Sequence, residues 1–271
     1  MERAESGLFD AGIVDTFGNV LEQTDNAFLV NPSRTVVEDV LADLTVDSEI
    51  SVRLFVAEAA LKTVVSEFVV ASTLADLART DVLSVRLLES VPRYSLLVTD
   101  TEVVSFVDYN GDMAGLATEA DTFVAETYDE YERRWAAAER YMPQAPPISR
   151  IRETLEANLS EAVMADFDRA LARVEDIGDR SPVGEVEVAL LVAAKHDALL
   201  YDISQWGEKI GLASKATFSR TKNSLEQTDL VETEKVPIEI GRPRLRLSLG
   251  AEAPVDAAIE TIVRTAADRL A

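Results

Sequence analysis

Leu212-Ala213-Ser214-Lys215-Ala216-Thr217-Phe218-Ser219-Arg220-Thr221-Lys222-Asn223-Ser224-Leu225 decides how the C-terminal third of this chain folds. Ser214 is a residue type that caps helix N-termini, so the spacing predicts a helix from there to about Gln227. Upstream, Val186–Leu200 reads as an apolar helix interrupted only by Lys195, His196 and Asp197. A short helix follows near Ile203–Ile210, closed by Gly211, which tolerates a left-handed C-cap. Downstream, Leu230–Val236 reads as a strand, Ile240-Gly241-Arg242-Pro243 as a turn, and Arg244–Leu249 as a half-buried return strand. Helix, short helix, helix and hairpin in that order make a helix-turn-helix with a wing.

The residue chemistry agrees with that shape. Phe218, Thr221 and Leu225 share one helical face and are expected in the core, which leaves Lys215, Thr217, Ser219, Arg220 and Asn223 largely outside. Such side chains donate to base edges or phosphate oxygens, and a helix fits the major groove. On the return strand Leu245, Leu247 and Leu249 point one way, Arg244, Arg246 and Ser248 the other. With Arg242, three guanidiniums would then flank the duplex. The expected DNA-binding set is Ser214, Lys215, Thr217, Ser219, Arg220, Lys222, Asn223, Arg242, Arg244 and Arg246. Winged helices also dock proteins, so an adaptor whose wing arginines meet acidic protein stays open.

Length and composition bound the rest. A chain of 271 residues can hold two domains with real cores. No apolar run is long enough to span a bilayer, and the first residues lack a basic-then-apolar signal pattern. With no cysteine there is no disulfide or thiolate metal site. The expectation is a soluble, cytoplasmic, non-redox protein in which the lone histidine, His196, is structural. The formal charge of −23 is unevenly spread. Five of the six lysines fall between Lys195 and Lys235, and the segment from Lys195 to Gly250 carries nine basic and eight acidic residues. A diffuse acidic surface poor in lysine is what proteins of a salt-accumulating cytoplasm show; the plainer alternative is an ordinary acidic protein, and the uneven lysine placement favours the halophilic archaeon. In molar salt the Debye length falls to about 3 Å, so global negative charge hardly repels DNA. Counterion release also weakens there, so local contacts matter more.

Earlier in the chain, strand-like and helix-like segments alternate. Glu2–Leu21 reads as an amphipathic helix with Leu8, Ile13 and Phe17. Asn26–Val30 reads as a strand and Thr35–Leu41 as a helix; Ser51–Ala57 reads as a strand and Ala59–Phe68 as a helix. Ala71–Leu77 opens another helix or continues that one. Leu83–Leu88, Ser95–Val98 and Val103–Val107 are apolar strands. The expected fold is α+β or α/β: a small mixed-sheet domain over residues 1–142, linker and connector helices over 143–182, and a winged helix-turn-helix with a C-terminal helix over 183–271. Met142-Pro143-Gln144-Ala145-Pro146-Pro147 marks the boundary.

The first domain has one pointed feature. A strand, then Asn31-Pro32-Ser33-Arg34-Thr35, then a helix puts hydroxyls, backbone N–H groups and a guanidinium at a helix N-terminus, a combination that holds phosphate. Ser72 and Thr73 would supply a second cradle if a helix begins there, and two cradles suit a ligand with two phosphates. The plainer alternative is helix capping by Ser33 or Thr35. Nothing suggests catalysis: His196 lies in the other domain, and there is no phosphate-binding loop with its lysine, no His-x-Lys pair and no metal-ligand cluster.

From Thr118 to about Tyr141 runs an acidic amphipathic helix whose Phe123, Tyr128, Tyr131 and Trp135 are expected to pack in the core. Ser149 caps the next helix, and Ser160 with Glu161 begins another that reaches Val174. Val255, Ile259, Ile262 and Ala266 make a seam that suits helix pairing, either between two copies or back on the same domain.

Several stretches carry a family resemblance. They are Phe28–Arg34, Ser95–Asp100, Leu200-Tyr201-Asp202-Ile203-Ser204-Gln205-Trp206-Gly207, Ala213–Lys222, and Glu234–Ile238 with Gly241–Leu247. Together they resemble the haloarchaeal TbsP-type regulators, named as suppressors of the TrmB sugar-metabolism regulator. The resemblance implies a transcription factor for central sugar metabolism, gluconeogenesis included. It makes a phosphorylated sugar such as fructose 1,6-bisphosphate the candidate effector for Asn31, Ser33, Arg34, Thr35, Ser72 and Thr73, with no cofactor required. The partners expected are promoter DNA, a small anionic metabolite and a second copy in a homodimer, with no membrane. The alternative is a regulator whose first domain only dimerises or docks a partner.

Overall fold

The computed structural model describes residues 8–9, 24–90, 92–109, 112–178, 181–237, 243–254 and 257–271. It divides into two units, Met1–Gln144 and Ala145–Ala271.

The first unit is a sheet with helices on both faces. In chain order it holds β1 (Leu8–Phe9), β2 (Asn26–Val30), α1 (Arg34–Asp43), β3 (Ser51–Val56), α2 (Glu58–Val64), α3 (Phe68–Arg79), β4 (Leu83–Leu87), β5 (Ser95–Val98), β6 (Val103–Tyr109), β7 (Asp112–Thr118), α4 (Asp121–Ala137) and β8 (Arg140–Tyr141). The strand order is β1-β7-β6-β5-β2-β3-β4-β8. β2, β3 and β4 are mutually parallel and the other described pairings are antiparallel. Crossovers between parallel strands are right-handed, and that rule places the helices. The α1 and α2–α3 connections start from strands running one way, while the α4 connection joins β7 to β8, which run the other way, in the same lateral direction. α4 therefore lies on the opposite face. The cores agree: Leu29, Leu54, Val85, Leu97 and Val104 pack with Val36, Val40, Leu61, Leu74 and Leu77. Phe28, Val30, Phe55 and Val98 pack instead with Val124 and Tyr131 of α4.

Leu8 lies in a strand, not a helix; Ile13, Phe17 and the rest of that predicted helix fall outside the described residues, apart from Phe9. The helix expected over Ala59–Phe68 stops at Val64, and a new one starts at Phe68. β7 is a strand that its residues do not announce; its Asp-Met-Ala-Gly-Leu-Ala-Thr is poor in β-branched residues and is held by its hairpin with β6. Tyr131 is buried and Tyr128 and Trp135 lean on Phe28 and Phe55, but Phe123 is 53% exposed. Trp135 meets Phe55 edge to face at 4.9 Å between ring centroids.

The second unit is helical with one hairpin: α5 (Ile148–Asn158), α6 (Glu161–Ile177), α7 (Glu185–Lys195), α8 (Leu200–Ile210), α9 (Lys215–Gln227), β9 (Val231–Val236), β10 (Arg244–Leu249) and α10 (Ile259–Leu270). Pro147 precedes α5, so Ser149 stands inside the first turn and is not its cap. Ser160 does cap α6, its Oγ accepting from Val163 N at 3.2 Å. α5 and α6 are not a separate connector. α6 packs on α7 and α10 and α5 on α8, with Trp206 Nε1 donating to Thr154 Oγ1 at 3.0 Å and Phe167 meeting Trp206 edge to face. Ile259, Ile262 and Ala266 are fully buried within this unit, so that seam turns inward and is not free to pair with another chain. Val255 lies outside the described residues.

Candidate nucleic-acid interface

α9 is the helix around which the interface is built. Ser214 caps it, Oγ accepting from Thr217 N at 3.1 Å, and Gly211 ends α8 in the left-handed region at φ 85°, where glycine carries no Cβ penalty. Phe218 and Leu225 are fully buried. Gly207 of α8 makes their approach possible: a Cβ there would stand 2.3 Å from Phe218 Cε2. Burial of that ring fixes the rotation of α9, and the rotation exposes Lys215, Ala216, Ser219, Arg220 and Asn223, with Thr217 half-buried. Among the described residues Arg220 has no ion-pair partner, so its guanidinium is available to an anion or a guanine edge.

Lys222 corrects the expected set. It is buried, and its Nζ donates to Glu226 Oε2 at 2.6 Å while Thr233 Oγ1 donates to Glu226 Oε1 at 2.6 Å. One turn after Phe218, this residue faces the hairpin, and the Lys222–Glu226–Thr233 chain ties α9 to β9. Burial pushes the Glu226 carboxyl up, but hydrogen bonds from Lys222 and Thr233 and the Lys222 charge outweigh it and hold it below the ordinary value. Lys222 is an internal strut and is not presented to a duplex.

The wing pairs β9 with β10 antiparallel, Leu247 opposite Thr233 and Arg246 opposite Glu234. A third segment joins it: Leu247 N donates to Ala198 O at 2.9 Å and Leu199 bridges Arg246. Residues 198–199, expected at the end of a helix, are thus extended and bind the wing to the helices. Leu247 is fully buried and Arg246 exposed, as alternation requires. Arg244 is only half-exposed: its guanidinium lies 4.1 Å from the Tyr201 ring centroid and 3.6 Å from Asp202 Oδ1. Lys215 Nζ is 3.2 Å from Glu208 Oε2 and 5.8 Å from the same Tyr201 ring. Arg242 lies outside the described residues. Tyr201, 41% exposed, has no charge signal in the sequence and emerges only from its contacts with Arg244 and Lys215.

A buried anion fixes the platform beneath. Asp166 on α6 receives Lys195 Nζ at 2.9 Å and His196 Nε2 at 2.7 Å, both at the end of α7, and also Arg169. Burial pushes its carboxyl up; the hydrogen bonds from Lys195, His196 and Arg169 outweigh that and lower it. His196 is thereby a structural donor to Asp166.

The expected phosphate cradle of the first unit looks different. Ser33 caps α1, its Oγ accepting from Val36 N at 3.4 Å. Asn31, at φ 48°, donates through Nδ2 to Pro92 O at 3.0 Å. Arg34 is already held by Glu38, at 2.5 Å from Nε, and by Glu67. Thr35 is exposed. Ser72 and Thr73 do not open a helix; they lie in the second turn of α3, with Ser72 fully buried. Their backbone N–H groups are committed within the helix, so the second cradle does not exist. A different cavity of about 590 Å³ opens between α4 and β5–β7, lined by Tyr94, Leu116, Phe123, Glu126, Glu130 and Arg134 among others.

The N-terminal model of the TbsP-like transcriptional regulators matches residues 5–146, and the model of their C-terminal HTH domain matches residues 147–267. No curated protein matches. Among solved structures, TrmBL2, an archaeal chromatin protein described as showing a novel mode of DNA binding, is 17% identical at a TM-score of 0.36. The match covers 52% of this chain and 55% of that one, so the chain spans about half the length of this relative. Nuc of Salmonella typhimurium, a phospholipase D family member, is 8% identical over 52% of this chain and 98% of its own, TM-score 0.37. NucT of Helicobacter pylori is 12% identical over 51% and 100%, TM-score 0.37. Likeness at this level carries no argument about activity.

Proposed function

Because the chain belongs to the TbsP-like family of transcriptional regulators, we propose that it regulates promoters of central sugar metabolism, gluconeogenic genes among them. In this reading α9 lies in the major groove and the wing follows the flanking backbone, in a homodimer working in a salt-rich archaeal cytoplasm. The observation that carries DNA reading by this surface is Arg220: an exposed guanidinium without an ion-pair partner among the described residues, held outward by the burial of Phe218 and Leu225 on the same helix. Ser219 and Asn223 stand beside it as donors for base edges. The test is a mobility-shift comparison of a gluconeogenic promoter fragment with a scrambled duplex in concentrated potassium chloride, using the full chain and Arg220→Ala. Preference for the promoter that is lost with Arg220 supports the reading; equal binding of both duplexes ends it.

The first unit then has two readings. In one it senses a phosphorylated sugar such as fructose 1,6-bisphosphate at Asn31, Ser33, Arg34 and Thr35, and the sugar displaces Glu38 and Glu67 from Arg34. Binding would have to differ between two arrangements of the protein to alter DNA affinity. In the other, the unit only dimerises or docks a partner. The prior engagement of Arg34 favours the second, since an incoming phosphate must break two existing ion pairs. Titrating fructose 1,6-bisphosphate into the full chain and into Arg34→Ala decides between them. A melting shift abolished by the substitution supports the sensor, and a flat response supports docking.

A further inference from the structure

We infer that Tyr201, Asp202 and Glu208 of α8 form a counter-ion clamp on Lys215 and Arg244, which DNA phosphates must displace, so that α8 sets the strength and salt dependence of DNA binding. This rests on the DNA-binding reading of α9 and the wing. Tyr201 lies between the two basic elements: Arg244 of the wing stacks on its ring at 4.1 Å, and Lys215 at the start of α9 approaches it at 5.8 Å. Each cation also has a carboxylate from the same helix. Asp202 Oδ1 is 3.6 Å from Arg244 Nη1, and Glu208 Oε2 is 3.2 Å from Lys215 Nζ. Hydrogen bonds from the Lys215 side chain and backbone hold the Glu208 carboxyl below its ordinary value.

The arrangement has two consequences. The ring pre-orients both cations, since a cation over an aromatic face keeps its charge while losing conformational freedom. The carboxylates occupy the positions where phosphate oxygens would bind, and once displaced they still repel the backbone. Lys215, Asp202 and Glu208 are all well exposed. Pairs of this kind contribute little to folding, so the effect appears in DNA affinity and not in stability. Arg220 has no such partner among the described residues and reads DNA whether the clamp is closed or open.

The experiment titrates the full chain with a mixed-sequence duplex three helical turns long, across potassium chloride steps. Asp202→Asn with Glu208→Gln is expected to bind about threefold to tenfold more tightly at low salt. That gain shrinks as the Debye length falls from about 10 Å to about 3 Å. The slope of log affinity against log salt steepens by up to about 1, the change that removes a tenfold gain over a tenfold rise in salt, because phosphate contacts are no longer offset by carboxylates. Tyr201→Ala weakens binding several-fold while Tyr201→Phe, which keeps the ring, does not. Asp268→Asn is the control for bulk charge, since α10 packs chiefly on α6 and α7. A double variant whose gain, on a logarithmic scale, is no more than twice that of Asp268→Asn overturns the clamp, since it removes two charges and the control one. If Arg220→Ala still weakens binding in that case, the DNA reading survives it; if the wild-type chain binds no duplex, both are overturned.

Discussion

α1 of the first unit and α9 of the second begin alike, with a serine cap followed at once by a cation: Ser33-Arg34 and Ser214-Lys215. In both, the cation next to the cap is neutralised, by Glu38 and Glu67 in one and by Glu208 in the other. One turn further on, the two helices diverge. α9 places Arg220 on an exposed face among uncharged donors, whereas the same region of α1 carries Glu38 and Asp39. Burial, and after it the like charges of Asp43 and Glu38, push the Asp39 carboxyl up. A capped helix start is therefore not an anion site by itself; a cation left unclaimed nearby is what distinguishes the two.

That contrast assumes a second unit rigid enough to present α9 unchanged. Its largest test is Asp166→Asn, which leaves Lys195 and Arg169 without their buried partner and should cost about 3 kcal/mol by denaturant titration. Asp166 titrates below its ordinary value of 3.8 in the folded chain. Its contribution is thus complete above that value and vanishes as pH falls through the lower folded one. The stability gap between wild type and variant should begin to narrow below about pH 4 and close only below the lower folded value; a gap unchanged in acid would refute the ion cluster.

Next in size is Gly207→Ala. With Phe218 2.3 Å from the new Cβ, the ring or α9 must move, at about 2 kcal/mol of overpacking, and DNA affinity should fall with stability. Arg220→Ala removes the unclaimed cation itself: about tenfold or greater loss of promoter affinity is expected, with melting unchanged. Arg246→Ala should reduce the salt slope by about 1 without changing sequence preference. Arg34→Ala has the smallest expected effect, no change in DNA affinity and less than about 1 kcal/mol in stability. If it instead weakened promoter binding, the distinction between claimed and unclaimed cations would fail.

Much of this was legible in the residues. Ser214, Phe218 and Leu225 gave the cap and inner face of α9 because capping and helical period are local. The alternation of Leu247 with Arg246 gave the wing for the same reason. The period could not tell Lys222 from its neighbours, since its inward turn depends on Glu226 and Thr233 standing beside it. The cradle at Arg34 read well in sequence because Glu67, 33 residues away, is invisible to any local window. Thr73 misled because the helix start lay at Phe68, where no capping side chain announces it.

Local chemistry along the chain sets the winged-helix order, the polar outer face of α9 and the near-neutral charge of the segment around it, all through neighbours within a few turns. Long-range packing settled which of the expected DNA contacts are free: Arg220 unclaimed among the described residues, Lys222 sealed inside, and Lys215 and Arg244 held by carboxylates, as Arg34 is in the first unit. Ion pairing is a matter of a few ångströms between residues the chain often keeps far apart, and in a molecule this acidic folding readily brings a carboxylate within reach of a cation.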